Sequence, residues 1–153
     1  QKPHPIIDLL QKKNIQRLHI LLCLEQLQRA LLTMNNPINF KEKFSKFADQ
    51  WSPKEIAEMN DYQFKLVKIK GEFITHNHED TDEVFIVIEG SMKIQFEDRV
   101  IELKSGEMVV VNKGEKHRPY AEKECKIMLV EPAGVLNTGG EGGDLTAPDN
   151  DWI

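Results

Sequence analysis

His76 and His78 stand one residue apart between Gly71 and Gly90, and an acidic residue, Glu83, follows five positions after the second histidine. In an extended chain, residues i and i+2 share a face, so these two imidazoles can be presented to one point in space. Glu83 can reach that point after a short turn. A third imidazole, His117, lies three residues past Gly114, which marks a tight turn. Three imidazoles and one carboxylate make a shell of nitrogen and oxygen donors suited to a divalent metal. The chain has five histidines, and the three beyond the first twenty residues all fall in these two segments. The competing reading makes His76 and His78 solvated loop residues beside Asn77, Glu79, Asp80 and Asp82. It leaves His117, in its own glycine-punctuated strand-turn context, without explanation.

These residues need β-structure to position them. Val84 to Ile88 is an unbroken apolar run that predicts a strand buried on both faces, and Glu89-Gly90-Ser91 is the following turn. Met92, Ile94 and Phe96 alternate with Lys93, Gln95 and Glu97, as in a half-exposed partner strand. Residues 100–103, 108–111 and 126–130 supply further strands, separated by turn residues, and this pitch predicts an antiparallel barrel or sandwich. Residues 62–70 are strand-like, but their apolar positions change parity between Leu66 and Val67, which signals either a bulge or burial on both sides. Ahead of them, Phe40, Phe44 and Phe47 lie on one helical face. Ser52, Pro53 and Glu55 form a helix-start pattern that Asn60 and Asp61 end.

The organisation read from the chain has four parts: an amphipathic helical extension over 1–33, a short helical lead-in over 34–61, a β-domain over 62–132 and a tail over 133–153. In the first, Ile20, Leu24, Leu27 and Leu31 recur at helical spacing, a stripe expected to pack on its own domain or a dimer partner. Gln1 is not a translation start, so Met34 is one candidate for the native beginning, with residues 1–33 a non-native upstream segment. The tail is rich in glycine, aspartate and proline, and 139–150 is expected to be flexible, with Leu136 and Trp152 as possible anchors.

A chain of 153 residues suits a single core, and its net charge of −5, without clustered Lys and Arg, argues against nucleic-acid partners. No apolar run is long enough to cross a bilayer. Cys23 and Cys125 are too few for a disulfide framework and read as reduced thiols of a cytoplasmic protein.

The residues Gly71, His76, His78, Glu83 and Gly90, with six residues between the last two, resemble the first motif of the cupin superfamily. Gly106, Gly114 and His117 match its second motif, although Asn112 stands where proline is usual and Ala121 where asparagine is frequent. Neither departure removes a ligand. The resemblance spans about residues 60 to 132, and is nearest to small single-domain bacterial cupins, some labelled mannose-6-phosphate isomerase-like. It implies a mainly β fold, a jelly-roll antiparallel barrel with an N-terminal helical extension, and a homodimer. It also implies a metal, with Mn or Fe favoured and Zn, Ni, Co or Cu compatible with the donors. Four protein ligands on a metal that prefers six leave positions for water, oxygen or a substrate, so the expected function is metal-dependent chemistry on a small polar molecule. Dioxygenase- or lyase-type chemistry is placed first. Non-catalytic binding or sensing, and sugar-phosphate isomerisation, are the alternatives. Arg118, Tyr120 and Glu72 are the candidate substrate contacts, while phosphate recognition would have only Lys113, Lys116 and Arg118 to draw on.

Overall fold

A computed structural model describes residues 13–18, 20, 21, 24, 36–148 and 151–153. It divides into two units, one up to Pro37 and one from Ile38 to Ile153. In the first, residues 13–18, 20, 21 and 24 are helical, with Ile15, Leu18, Ile20, Leu21 and Leu24 exposed. The remainder of the expected amphipathic stripe, including Leu27 and Leu31, lies outside the described residues.

Among its described residues, the second unit contains one short helix, α1 (Phe40–Phe44), and seven strands: β1 (Lys54–Met59), β2 (Tyr62–Glu72), β3 (Glu83–Glu89), β4 (Ser91–Phe96), β5 (Val100–Lys104), β6 (Met108–Val111) and β7 (His117–Pro132). All strand pairings are antiparallel. The order is β1-β2-β7-β3-β6, and β4 joins β5 to β7. The long β7 organises the barrel. Its first residues pair with β4, its last with β3, and β2 runs along its other edge. Alternation along the strands sends Val67, Ile69, Phe85, Val87, Ile94, Ile127 and Leu129 into the interior.

The parity change in β2 is burial on both sides. Leu66 and Val67 are both buried, Val67 inside the barrel and Leu66 against Phe44, Phe47 and Ile56 on the outer face. The β2–β7 register runs unbroken through them and shifts only between Ile69 and Gly71.

The helix expected from Ser52 to Asn60 is not formed. Residues 54–59 are β1, paired to β2 from Lys54↔Leu66 to Met59↔Tyr62. A capping pattern stabilises a helix by about 1 kcal/mol, whereas the extended segment gains a ladder with β2 and buries Ile56 with Phe44, Phe47 and Leu66. Asn60 and Asp61 form the tight turn of a hairpin instead, with Asn60 in the left-handed region at φ 54°.

The tail is also packed, contrary to the expected flexibility. The Asn137 side chain donates to Leu145 O at 2.9 Å and accepts from Ala147 N at 3.0 Å, and the hydroxyls of Thr138 and Thr146 meet at 3.1 Å. Farther on, Glu55 N donates to Asp151 O and Ile153 N to Glu55 O, so Trp152 lies beside β1 in a parallel bridge. Trp152 was an expected anchor; Leu136 remains exposed. Asn137 and Thr138 hold the tail through polar atoms, which a hydropathy reading passes over. Among the described residues, no helix is long and apolar enough to cross a membrane.

Gly139 brings this tail onto the His76–His78 segment. It has φ +59°, and a Cβ there would lie 2.0 Å from Asn77 O. Both the backbone conformation and the contact require glycine. We expect Gly139→Ala to lower stability by about 1–3 kcal/mol and to weaken metal binding by moving Asn77, as read by urea denaturation and metal titration. Wild-type values in both would refute the contact.

Candidate metal centre

His76 and His117 come from different motifs and are tied by backbone. His76 N donates to His117 O at 3.0 Å, and His117 N donates to His76 O at 2.9 Å. Gly114 N donates to His78 O at 2.7 Å, joining the turn of the second motif to the first. Glu83 opens β3, paired with Val111. One ligand atom from each of His76, His78, Glu83 and His117 lies within 4.8 Å of every other, and all four residues are buried.

The rings are oriented by their outer nitrogens. His76 Nδ1 is 3.2 Å from Ile74 O and His117 Nδ1 is 3.0 Å from Glu115 O. A carbonyl only accepts, so each Nδ1 carries a proton, and each Nε2 is left facing the cluster. His117 Nε2 lies 3.2 Å from Glu83 Oε2. His78 Nε2 is 3.4 Å from the same oxygen but outside hydrogen-bond alignment, and His76 Nε2 is buried with no partner. A buried lone pair without a partner costs free energy. A cation at the convergence point removes that cost, so the donor set fits a divalent metal.

The electrostatics agree. Burial, assisted by the neighbouring His117, pushes the His76 pKa down to about 4. Burial alone would raise the Glu83 pKa, but the imidazoles of His117 and His78 outweigh it and hold the carboxyl well below its usual range. For His78, burial is outweighed by Glu83, and the pKa is raised. A neutral His76 beside an ionised Glu83 is the protonation state that ligation requires.

The lowered His76 value carries a sign. Between about 4 and 6.5 the unfolded chain binds a proton that the folded chain refuses, so this residue makes the metal-free protein less stable as pH falls through that window. We expect His76→Gln to reduce the loss in stability between about pH 6.5 and about pH 4, measured by urea titrations of metal-free protein. An identical loss in variant and wild type would contradict the assignment.

Arg118, Tyr120 and Glu72 are not gathered at this site. β7 alternates, so His117, Pro119 and Ala121 face inward, and Arg118 and Tyr120 face out. Arg118 instead makes a 3.0 Å ion pair with Glu72 and a 2.6 Å hydrogen bond to Gln95 Oε1. Tyr120 lies under Lys93, 5.8 Å from the ring centroid. The structure thus places these three candidate contacts away from the cluster, with Arg118 and Glu72 paired to each other. Lys113 and Lys116 are exposed as well.

Other polar residues are buried near the cluster instead. Lys65 and Glu131 form a buried 3.0 Å ion pair next to the cluster, and Gln63 adjoins Glu131 in register. Burial, with the Glu83 charge adding to it, raises the Glu131 pKa to about 7. Strand parity carried the signal for this group. Gln63 and Lys65 share a face with Val67 and Ile69, and Glu131 shares one with Ile127 and Leu129. Trp51 had no such signal. Its φ is 59°, a conformation that costs a bulky residue about 1–3 kcal/mol. Bonds from Trp51 N to Lys68 O and from Trp51 Nε1 to Lys70 O, both 2.9 Å, hold it with its ring stacked on Phe73 at 4.8 Å. Phe73 in turn meets His76 edge-on at 5.4 Å.

Residues 65–131 match the family described as Cupin domain. The Bacillus subtilis "Uncharacterized protein YdbB" is 37% identical over 102 residues, covering 66% of this chain and 82% of that protein. The crystal structure of a cupin-2 domain containing protein from Shewanella frigidimarina is 62% identical, with a TM-score of 0.62 over 62% of this chain and 93% of its own. Protein NMB1881 from Neisseria meningitidis is 33% identical, with a TM-score of 0.59 over 64% of this chain and 100% of its own.

Proposed function

The chain belongs to the cupin superfamily, and on that footing we propose that it is a metal-dependent enzyme acting on a small molecule, with His76, His78, Glu83 and His117 holding the ion. The carrying observation is the convergence of four buried ligand atoms within 4.8 Å, with His76 Nε2 lacking any protein partner. A bound divalent ion would supply Lewis acidity, or a place for dioxygen beside the substrate. The chain's own residues set the stage for it. The Ile74 and Glu115 carbonyls orient two imidazoles, Glu83 provides the negative charge, and the apolar barrel wall keeps bulk water out. Mn or Fe remains the preferred metal on the family resemblance.

Dioxygenase- or lyase-type chemistry stands ahead of sugar-phosphate isomerisation because Lys113, Lys116 and Arg118 all lie away from the cluster's interior. A phosphate would need a basic group or a helix N-terminus. We place the protein in the cytoplasm, in keeping with the free, buried Cys125. A homodimer is supported by the outer face of the sheet, where Phe64, Val130, Val84 and Val110 form one apolar ladder in direct register, with Val110 exposed. Light scattering tests that point.

The function is tested by metal analysis of protein purified without added metal, followed by a turnover screen with the preferred ion. We expect about one ion per chain and metal-dependent turnover. Stoichiometric metal with binding but no turnover would favour the sensing alternative.

A further inference from the structure

All four residues of the cluster are buried, and the cavity beside them, with His76 and Glu83 in its wall, has a volume of about 30 Å³. One water molecule occupies about 30 Å³ of the liquid, whereas small-molecule sites run to roughly 300–1,000 Å³. With so little room, no substrate reaches the ligands in this closed form. The barrel side of the wall includes Trp51, Phe73 and Phe85, and the tail contributes Asn137.

Residues 134–148 can leave as a unit. The chain is fastened before them, where Ala133 N donates to Asp61 O at 2.8 Å, and after them, where Glu55 N donates to Asp151 O at 2.8 Å. Between these anchors the segment bonds to itself. Gly139 N donates to Leu136 O at 2.9 Å, Glu141 N to Thr138 O at 3.0 Å and Thr146 N to Gly143 O at 3.1 Å, and the side chains of Asn137 and Thr138 bond to Leu145, Ala147 and Thr146. Among the described residues, its one hydrogen bond to the barrel is donated by Asn137 Nδ2 to Trp51 O, and at 3.4 Å it is long. The fully buried side chains of the segment, Asn137 and Thr138, are polar, while Val135, Leu136, Leu145 and Ala147 all keep some exposure. Lifting the segment therefore uncovers little apolar surface and breaks one weak bond, which places it at the low-stability end of the fold. The seam is also loosely packed. A second void, of about 10 Å³, separates Pro53, Glu55 and Lys65 on the barrel from Val135, Leu136 and Ala147 on the tail.

We propose that residues 134–148 form a lid over the metal centre, latched by Asn137 on the Trp51 carbonyl, and that metal and substrate enter when it lifts. Gly139 seats the lid on Asn77, between the ligands His76 and His78. The proposal goes beyond the metal-dependent reading above and rests on it. A gate that opens more often speeds entry and release by the same factor and leaves affinity where it was, whereas damage to the ligand shell speeds release alone.

The test compares the full chain with Asn137→Ala, timing Mn²⁺ uptake and the extraction of Mn²⁺ by EDTA. We expect both to quicken by about 10-fold, with the affinity for Mn²⁺ unchanged. A protease site inserted at the exposed residues 141–144, and cut after folding, should act in the same way and replaces the variant if Asn137→Ala does not fold. A separate readout needs no metal. Val67→Cys puts a thiol in the cavity wall, and methyl methanethiosulfonate should label it about 10-fold faster once Asn137→Ala is added or the lid is cut. Unchanged rates, or faster release with weakened affinity, would overturn the lid. If the protein takes up no divalent metal, the metal reading fails, and the thiol labelling alone decides for or against the lid.

Discussion

Replacing His78 with alanine will weaken divalent-metal binding by about 100-fold or more while the barrel stays folded. The estimate follows from the ligand count. Apparent zinc affinities of four-ligand sites run to about 10–16 kcal/mol, and an even share for one ligand is about 3 kcal/mol, or roughly two factors of ten in affinity. His78 sits in the segment before β3, away from the core formed by Val67, Ile69, Phe85, Val87, Ile94 and Ile127. Its loss therefore removes a donor without removing the apolar burial that holds the strands. Circular dichroism and competition with a chelating dye measure the two effects separately. A variant that binds metal as tightly as the wild type would exclude His78 from the shell.

Replacing Lys65 with methionine should destabilise the protein by about 3–5 kcal/mol well above pH 7. Glu131 has no exposed surface, and Lys65 has almost none, so removal of the ammonium leaves a carboxylate in the barrel without its counter-charge. The sign of the pH dependence follows from Glu131. Burial and Glu83 already raise its pKa to about 7, so with Lys65 gone the carboxyl takes up a proton more readily still. The deficit of the variant should grow as pH rises above about 7, where wild-type Glu131 ionises beside Lys65 and the variant's carboxyl holds its proton, and should stay level below that pH. A second substitution, Glu131→Leu, should recover much of the loss, because an apolar pair of similar size avoids desolvating either charge. Urea denaturation of the two single variants and the double variant forms the cycle. Additive losses would show that Lys65 and Glu131 are not energetically coupled.

The site was readable from the sequence wherever the chemistry lay in residue type and short spacing. His76, His78, Glu83 and His117 are found together, and the strand alternation through Met92, Ile94 and Phe96 matches their burial. Reading failed where tertiary pairing outweighed a local signal. Ser52, Pro53 and Glu55 spell a helix start, but β1 gains a ladder with β2 along one edge and a contact with the distant Trp152 along the other. The same limit applies to the tail. Asn137 and Thr138 earn their burial through hydrogen bonds to residues eight to ten positions on, and composition alone carries no trace of those partners. Arg118 illustrates a third case. Its place next to His117 in sequence suggested a shared site, yet neighbours on a strand face opposite ways. The parity that turns Arg118 outward would also have placed Lys65 and Glu131 inside, had it been applied to polar residues as strictly as to apolar ones.

Anomalous diffraction from crystals of the metal-loaded protein tests the central claim most directly. The account requires one strong peak per chain within about 2.0–2.2 Å of an imidazole nitrogen from each of His76, His78 and His117 and of a Glu83 oxygen. A peak elsewhere, or none between these four side chains in protein shown to carry metal, would contradict it.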